Sequence, residues 1–130
     1  MRLSRKKLYY LASPYSHPDD IVRYERFKDA ERFTAGMLER GFNIYSPIVY
    51  NHEMAETYRL PTTWEFWEGV DRKFLRACQE MLVMQIPGWK ESRGVQAEIK
   101  IAKRYGMPVY LIKVDQEGEY NVEDYYVRRR

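Results

Sequence analysis

The stretch Met81-Leu82-Val83-Met84-Gln85-Ile86, which ends at Pro87-Gly88, decides the fold of this chain. It is a short, mostly apolar run followed by turn-forming residues, and such a run predicts a buried strand. Three similar runs occur, at residues 7–12, 42–45 and 107–112. All four runs are continuous rather than alternating, which is typical of strands that are covered on both faces.

Helical patterns separate the four predicted strands. The three predicted helices run from Asp19 or Asp20 to about Arg40, from Pro61-Thr62-Thr63 to about Gln79, and from Ser92 to about Tyr105. Their starts carry good N-cap residues, and Gly41 and Gly106 follow the first and the third. We interpret Ile48 to Leu60 as a loop with some helix, and the segment from Asp115 as a polar, tyrosine-rich tail.

This order of elements predicts an α/β fold with a mostly parallel sheet of four to five strands. The 130 residues form a single domain, with its core at about residues 8–112. In such sheets ligands bind beyond the carboxyl ends of the strands. Three loops have that position: Ser13 to Pro18, Pro47 to His52 and Pro87 to Gly94.

The composition of the chain excludes several classes of protein. Hydrophobic residues make up 45% of the chain and charged residues 32%, which is ordinary globular composition. Cys78 is the only cysteine, which excludes an internal disulfide and fits a reducing compartment. No apolar run approaches the roughly 20 residues that a membrane span needs. We therefore expect a cytoplasmic protein without a membrane partner.

The net charge of +3 says little about partners. Seven of the 22 basic residues lie in the two ends, at Arg2, Arg5, Lys6, Lys7 and Arg128 to Arg130. A nucleic-acid-binding protein carries its positive charge on a folded face or along a groove. Solubilising ends are the better interpretation of this pattern.

Two carboxylates fall on the wrong faces of their predicted helices. At about 100° per residue, Glu98 lies in the middle of the apolar arc of its helix. Asp71 lies inside the apolar arc of the preceding helix, which includes Phe66, Trp67, Val70, Phe74 and Leu75. Burying an unpaired ionised carboxylate costs several kcal/mol. Each could be paired with an arginine or could cap backbone amides. Because both helices flank the same strand, the pair favours a shared pocket.

Such a pair has a recognisable chemistry. In a partly apolar cleft the two pKa values can separate, so that one carboxylate acts as nucleophile or base and the other as general acid. Enzymes that cleave glycosidic bonds use such a pair of carboxylates. The loop before Glu98 fits, since Ser92, Arg93 and Gly94 begin a helix whose free amides could hold a phosphate or a sugar hydroxyl. An ordinary helix cap is the alternative for this loop.

The remaining candidates are weaker. His17 and His52 are the only histidines, and their spacing does not predict a metal site. His52 follows the second strand and could touch a ligand or lie on the surface. Trp89 lies in the loop before Ser92 and could cover a base, whereas tryptophans are more often core residues.

Four segments together resemble a known pattern. They are Tyr10-Leu11-Ala12-Ser13-Pro14-Tyr15-Ser16, Ser46-Pro47-Ile48, Asp71, and Ser92-x-Gly94-Val95-x-x-Glu98. In order and spacing they resemble the nucleoside 2-deoxyribosyltransferase-like superfamily, which includes nucleotide N-glycoside hydrolases. The resemblance covers roughly residues 8 to 112 and is closest to a small, poorly characterised bacterial and phage branch.

The resemblance implies a fold, a chemistry and a set of site residues. It implies a flavodoxin-like (Rossmann-like) three-layer sandwich and a homo-oligomer (dimer or tetramer). From the residues themselves we expect no cofactor and no metal. Glu98 would be the nucleophile and Asp71 would protonate or position the base. The resemblance places Ser13, Pro14 and Tyr15 beside the sugar or base, and Ser92 and Gly94 at a 5′-phosphate. From their positions in the sequence we add Tyr10, His52, Trp67, Trp89 and Arg93 as substrate-binding candidates.

Three functional hypotheses follow. The first is an enzyme that cleaves or transfers the N-glycosidic bond of a nucleoside or nucleoside 5′-monophosphate, with Arg93 favouring a phosphorylated substrate. The second is a non-catalytic nucleotide-binding or sensor module that keeps the same pocket. The third, a nucleic-acid-binding protein that uses its basic ends, ranks last.

Overall fold

The computed structural model describes residues 3–127, so the predicted basic ends at Arg2 and Arg128 to Arg130 lie outside the described residues. Strands and helices alternate along most of the chain, which confirms the predicted α/β class. The elements are β1 (Leu8–Ala12), α1 (Asp20–Glu39), β2 (Asn43–Tyr45), α2 (Pro47–Tyr58), α3 (Trp64–Ala77), β3 (Glu80–Met84), α4 (Arg93–Arg104), β4 (Val109–Val114) and β5 (Tyr120–Tyr126).

The strands form one sheet in the order β2-β1-β3-β4-β5. The first four strands are parallel and β5 pairs antiparallel with β4. The chain leaves β1 toward one edge of the sheet and later places β3 on the other side of β1. In open α/β sheets, ligands bind at this kind of reversal, outside the carboxyl ends of the strands.

Alternate residues of β1 pack into two different parts of the core. Tyr10 and Ala12 join a cluster with residues of α3 and α4, whereas Tyr9 and Leu11 join one with residues of α1. This is the two-residue alternation expected of a strand covered on both faces. Burial of each large apolar side chain contributes about 1.5–3 kcal/mol, so these clusters fix where the helices lie relative to the sheet.

The interpretation of Ile48 to Leu60 as mainly loop is wrong, because Pro47 to Tyr58 form a continuous helix. Ser46 is its N-cap, with a side-chain oxygen that accepts a hydrogen bond from the backbone N–H of Val49 at 3.2 Å. Pro47 occupies the first helical turn, where its missing N–H costs nothing. The same Ser-Pro pair that ends β2 therefore begins α2.

The prediction of a polar tail after Asp115 is also wrong, because residues Tyr120–Tyr126 of this segment form β5. The β4 strand offers a free edge, and β5 pairs along that edge from Val114 to Val109. Val122 packs against the core, and the ring of Tyr120 contacts that of Phe33 edge-on. Pairing and these contacts hold a segment whose own composition is mostly polar.

The predicted caps of α1 and α4 are confirmed. Asp19 accepts a hydrogen bond from the N–H of Ile21, and Ser92 accepts one from the N–H of Val95 at 3.2 Å. Thr63 occupies the N-cap position of α3 without a side-chain cap hydrogen bond. Between residues 3 and 127, no helix has the length and apolar character that crossing a membrane requires.

One face of α3 differs from its prediction. Phe66, Val70 and Phe74 were expected on the dry side of the helix, yet each is more than 40% exposed. Only Asp71 and Leu75 of this helix are fully buried. The apolar arc of α3 is therefore wider than the surface that the sheet and α4 cover.

Candidate active site

A cavity of about 300 Å³ lies beyond the carboxyl ends of β1, β2 and β3, and α2 and α3 form much of its wall. Its size is at the lower end of small-molecule sites. Most of the predicted site residues line it. They are Ser13, Tyr15, His52, Trp67, Asp71, Ser92, Arg93, Gly94 and Glu98.

Three predicted site residues lie elsewhere. Tyr10 does not line the cavity but touches it indirectly, through a hydrogen bond to Glu98. Pro14 is fully buried in the protein. Trp89 packs against the core and its ring contacts that of Tyr125 edge-on, with centroids 6.4 Å apart.

Sequence reasoning missed part of the wall, mainly the contribution of α2. Ser16, Pro47, Ile48, Asn51 and Glu91 lie within the predicted ligand loops but were not singled out as site residues. The residues outside those predictions are Ala55, Thr62, Thr63 and Trp64. Ile48, Asn51, His52 and Ala55 follow helical spacing, so recognising Ser46-Pro47 as a helix start would have placed them on one face.

Glu98 is buried one and a half turns into α4, at 5% exposure. The hydroxyl of Tyr10, itself fully buried, donates a hydrogen bond to its Oε2. Burial is the main reason that the pKa of Glu98 is raised to about 8. The Tyr10 hydrogen bond lowers this pKa, and the charge of nearby Asp71 raises it.

Asp71 reaches the same cavity from α3 and is 7% exposed. Burial raises its pKa to about 7. Among residues 3–127 its Oδ1 atom has no hydrogen-bond partner, and neither has the Oγ atom of Ser13 in the same wall. A buried polar atom without a partner costs roughly 1–3 kcal/mol, so a polar ligand that contacts both atoms would recover that free energy.

Neither Asp71 nor Glu98 forms an ion pair with a basic side chain of the described residues. The structural alternative for these acids, pairing with an arginine, is therefore wrong. Two acids whose pKa values lie near neutrality can exchange protons with a substrate in the physiological range.

Tyr15 and His52 form a second polar pair in the wall. The Tyr15 hydroxyl lies 2.7 Å from Nδ1 of His52, and the imidazole stacks on the ring of Phe27 at 4.1 Å. Burial lowers the pKa of His52 and raises that of Tyr15 to about 12. Both side chains are therefore neutral at pH 7 and present hydrogen-bonding groups without charge.

The mouth of the cavity carries both signs of charge. The Arg93 guanidinium lies 2.5 Å from a carboxylate oxygen of Glu65, and both side chains are more than half exposed. Glu91 lines the same cavity. Ser92 caps α4 here, so the backbone N–H groups of the first helical turn face this end of the site.

Cys78, the only cysteine, does not line this cavity. Burial raises the pKa of the Cys78 thiol to about 12, so the residue is a core thiol. Among residues 3–127, no group of three or more His, Cys, Asp or Glu side chains is placed to hold a metal ion.

Fold and cavity together define the class: an α/β protein with a buried pair of acids at the carboxyl edge of a parallel sheet. The chain belongs to the family described as domain of unknown function (DUF1937), whose model matches residues 7–114. No curated protein matches the sequence significantly. The family match covers both acids and every other residue of the cavity.

Proposed function

We propose that this protein cleaves or transfers the N-glycosidic bond of a nucleoside or nucleoside 5′-monophosphate, in the manner of the nucleoside 2-deoxyribosyltransferase-like superfamily. The observation that carries the proposal is the pair Asp71 and Glu98, buried without a basic partner in one cavity of about 300 Å³. A single buried acid has many structural explanations, whereas two acids in one cavity favour acid and nucleophile chemistry.

The proposed reaction has two steps. The Glu98 carboxylate attacks the anomeric carbon, the bond from that carbon to the base nitrogen breaks, and Asp71 gives its proton to the base. A glycosyl ester on Glu98 results. Water then attacks the anomeric carbon, the bond from that carbon to the Glu98 oxygen breaks, and the proton of the water passes to Asp71, which restores both acids and completes hydrolysis. A second base in place of the water gives transfer.

Tyr10 has a positioning role in this scheme. Its hydroxyl holds one oxygen of Glu98 and favours the ionised form that attacks. Ser13, Tyr15 and His52 line the wall around the acids and offer neutral hydrogen-bonding groups for a sugar or base. Trp64 and Trp67 supply flat apolar surface in the same wall, which suits a planar base.

The finer fold assignment is part of this proposal. The strand order of β2, β1, β3 and β4 is that of a flavodoxin-like sheet. The two core clusters, one with α1 and the other with α3 and α4, support a three-layer sandwich. The superfamily resemblance also implies a homo-oligomer, and we include this expectation in the proposal.

Base release from a panel of deoxynucleosides, ribonucleosides and their 5′-monophosphates tests the proposal. We expect the wild-type protein to release base from at least one member. Glu98→Gln should lower the rate by at least a thousandfold, because it removes the nucleophile and keeps the side-chain shape. Glu68→Gln, on the outer face of α3, is the matched control and should keep the wild-type rate.

Two results would decide against the proposal. Full activity of Glu98→Gln would exclude Glu98 as the nucleophile. Tight binding of a panel member by wild type and Glu98→Gln alike, with no base released by either, would establish the non-catalytic binding module in place of the enzyme.

A further inference from the structure

A second cavity, of about 340 Å³, lies on the face of the sheet that α1 covers. It is bounded by α1, by the ends of β3 and β4, and by the turn that joins β4 to β5. From α1 its wall includes Arg32, Phe33, Gly36, Met37 and Arg40. We call it the α1 cavity. None of its lining residues lines the cavity that holds Asp71 and Glu98, so the two cavities are separate.

The topology explains why this part of the sheet has a cavity. After β4 the chain turns at residues 115–119 and returns as β5, so among residues 3–127 no helix follows β4. Helices cover both faces of most parallel sheets. Here Met84, at the end of β3, and Val114, at the end of β4, border an open space beside α1.

Gly36 keeps the middle of the α1 wall open. At about 100° per residue it lies near the centre of the α1 face that lines the cavity, with Arg32 one turn before it and Arg40 one turn after it. A Cβ atom added at Gly36 would meet nothing within 4 Å. Glycine is a poor residue inside a helix, so a longer side chain here would favour α1 and would occupy the cavity.

The floor of the α1 cavity is apolar. Phe33, Met37 and Met84 line it and are buried in the protein. Ile86 and Val114 add two partly buried aliphatic side chains. An apolar concave surface of this volume, with a few polar groups at its rim, is typical of small-molecule sites. The floor therefore favours a ligand with an apolar body.

The two carboxylates that line the α1 cavity already have partners. Asp29 lies 2.5 Å from the guanidinium of Arg32, three residues further along the helix. Oδ1 of Asp115 accepts hydrogen bonds from the backbone N–H groups of Glu117 and Glu119, both at 2.9 Å, and closes its own turn. These carboxylates therefore do not call for a cationic ligand.

Arg40 is the basic group of the rim with spare hydrogen-bonding capacity. Among the described residues its ion pair is with Glu119, at 3.8 Å, and the Glu119 side chain is 74% exposed. A guanidinium has five N–H donors and can hold a carboxylate or phosphate through two of them. Because a long, exposed ion pair is weak, an anionic ligand can replace Glu119 at Arg40.

We propose that the α1 cavity binds a small amphipathic anion. The apolar body of the ligand lies on Phe33, Met37 and Met84, and its carboxylate or phosphate group is held by Arg40. The apolar floor and the weakly paired guanidinium account for the two parts of this ligand. The proposal does not depend on the activity proposed for the other cavity, so either can fail alone.

Nuclear magnetic resonance titration with matched aromatic probes tests the proposal. The probes are 2-naphthoate, 2-naphthyl phosphate and the neutral 2-naphthylmethanol. We expect at least one of the two anions to shift the amide signals of Gly36 and Gly118, which line the α1 cavity. That anion should bind at least about tenfold more tightly than the alcohol, and the tighter of the two anions identifies the charged group of the ligand.

Matched variants assign the two parts of the site. Arg40→Gln should abolish the preference for the anion, whereas Arg32→Gln should keep it, because that guanidinium is already held by Asp29. Gly36→Gln should weaken binding at least about tenfold, because the new side chain occupies the cavity. Gly69→Gln also replaces a helical glycine with open space around it, lies outside the α1 cavity and should keep the wild-type affinity.

Several results would overturn the proposal. Absence of binding by both anions at millimolar concentration, or equal affinities for anion and alcohol, would exclude an anion site. A preference that survives Arg40→Gln would exclude Arg40 as its anchor. Wild-type affinity of Gly36→Gln, or shifts at Gly94 in the other cavity without shifts at Gly36, would exclude the α1 cavity as the place of binding.

Discussion

Glu98 and Asp71 need opposite protonation states in the proposed reaction. The nucleophile must be ionised, whereas the acid must hold its proton. Burial raises the pKa of Asp71 to about 7 and that of Glu98 to about 8. The form with ionised Glu98 and protonated Asp71 is therefore a minor fraction of the protein, and this fraction is largest between the two pKa values. Below pH 7 Glu98 is protonated, and above pH 8 Asp71 is ionised. We expect a bell-shaped profile of kcat/KM with its maximum between about pH 7 and 8, whose limbs belong to the coupled pair.

Tyr10→Phe gives a sharper residue-scale prediction. The hydrogen bond from Tyr10 lowers the pKa of Glu98, so its loss should raise that pKa. Each unit of increase should lower kcat/KM about tenfold at pH 6 to 7. For a one-unit increase the loss should shrink to about twofold near pH 9 and nearly disappear by about pH 10, because Glu98 is then mostly ionised in both proteins and the rate depends on the small fraction of protonated Asp71.

Tyr9→Phe is the control for this change, since Tyr9 is equally buried on the same strand but packs in the other core cluster. It should leave the pH profile unchanged. A Tyr10→Phe variant that loses activity equally at every pH would show a packing role for Tyr10 rather than an effect on Glu98.

Arg93 bears on whether the substrate carries a phosphate. Its guanidinium already lies against Glu65, so a phosphate at the start of α4 must compete with that carboxylate. Glu65→Gln should therefore tighten the binding of a nucleoside 5′-monophosphate several-fold and leave the binding of the nucleoside unchanged, as calorimetry can measure. Equal affinities of variant and wild type for the monophosphate would place its phosphate elsewhere.

The sequence predicted the two buried acids because helical spacing alone sets which residues share a face. The same reasoning was wrong for Phe66, Val70 and Phe74, because a wheel gives the direction of a side chain and not what covers it. Trp89 was a candidate because of its position in the loop before Ser92, but in the structure its ring lies edge-on against that of Tyr125 and does not line the cavity. That contact depends on β5, which the sequence pattern did not reveal.

At the scale of the element, α2 and β5 are the two differences between prediction and structure. Residues 48–60 mix polar and aromatic side chains, and their one helical face borders a cavity rather than a dry core, so their periodicity is weak. The β5 strand is polar and irregular in pattern because it pairs with an edge and is mostly exposed. Pairing with β4 makes this segment a strand, and the propensities of its own residues would not have predicted it.

The β5 strand should contribute measurable stability. Val122 packs against the core from this strand. Val122→Asp should lower the free energy of unfolding by about 1–3 kcal/mol, because it places a charge against an apolar surface. Urea denaturation measures the change. Glu123→Gln, at the exposed neighbouring position, is the control and should change it by less than about 0.5 kcal/mol.

The stability of Val122→Asp distinguishes two accounts of this segment. A value equal to that of wild type would mean that β5 is loosely attached, as a polar tail would be. A clear loss would mean that β5 is part of the folded core.

At the scale of the whole molecule, the site follows from how the chain crosses the sheet. The reversal between β1 and β3 leaves a gap at their carboxyl ends, and the loops after β1, β2 and β3 all reach it. The helices on either side of β3 in sequence each bring one acid to that gap. The apolar runs predicted a mostly parallel sheet with ligand loops at its carboxyl edge. The strand order was implied only by the resemblance, and the exposure of Phe66, Val70 and Phe74 on α3 was not predicted.

The central claim is a covalent glycosyl ester on Glu98, and a slow substrate tests it most directly. A nucleoside of 2-deoxy-2-fluoroarabinose suits this purpose, because the fluorine destabilises the oxocarbenium-like transition states and slows the second step. Mass spectrometry of the quenched protein should show one added fluoroarabinosyl group on the peptide that contains Glu98, with one equivalent of base released. Base release with no added mass, or with the added mass on another residue, would contradict the claim.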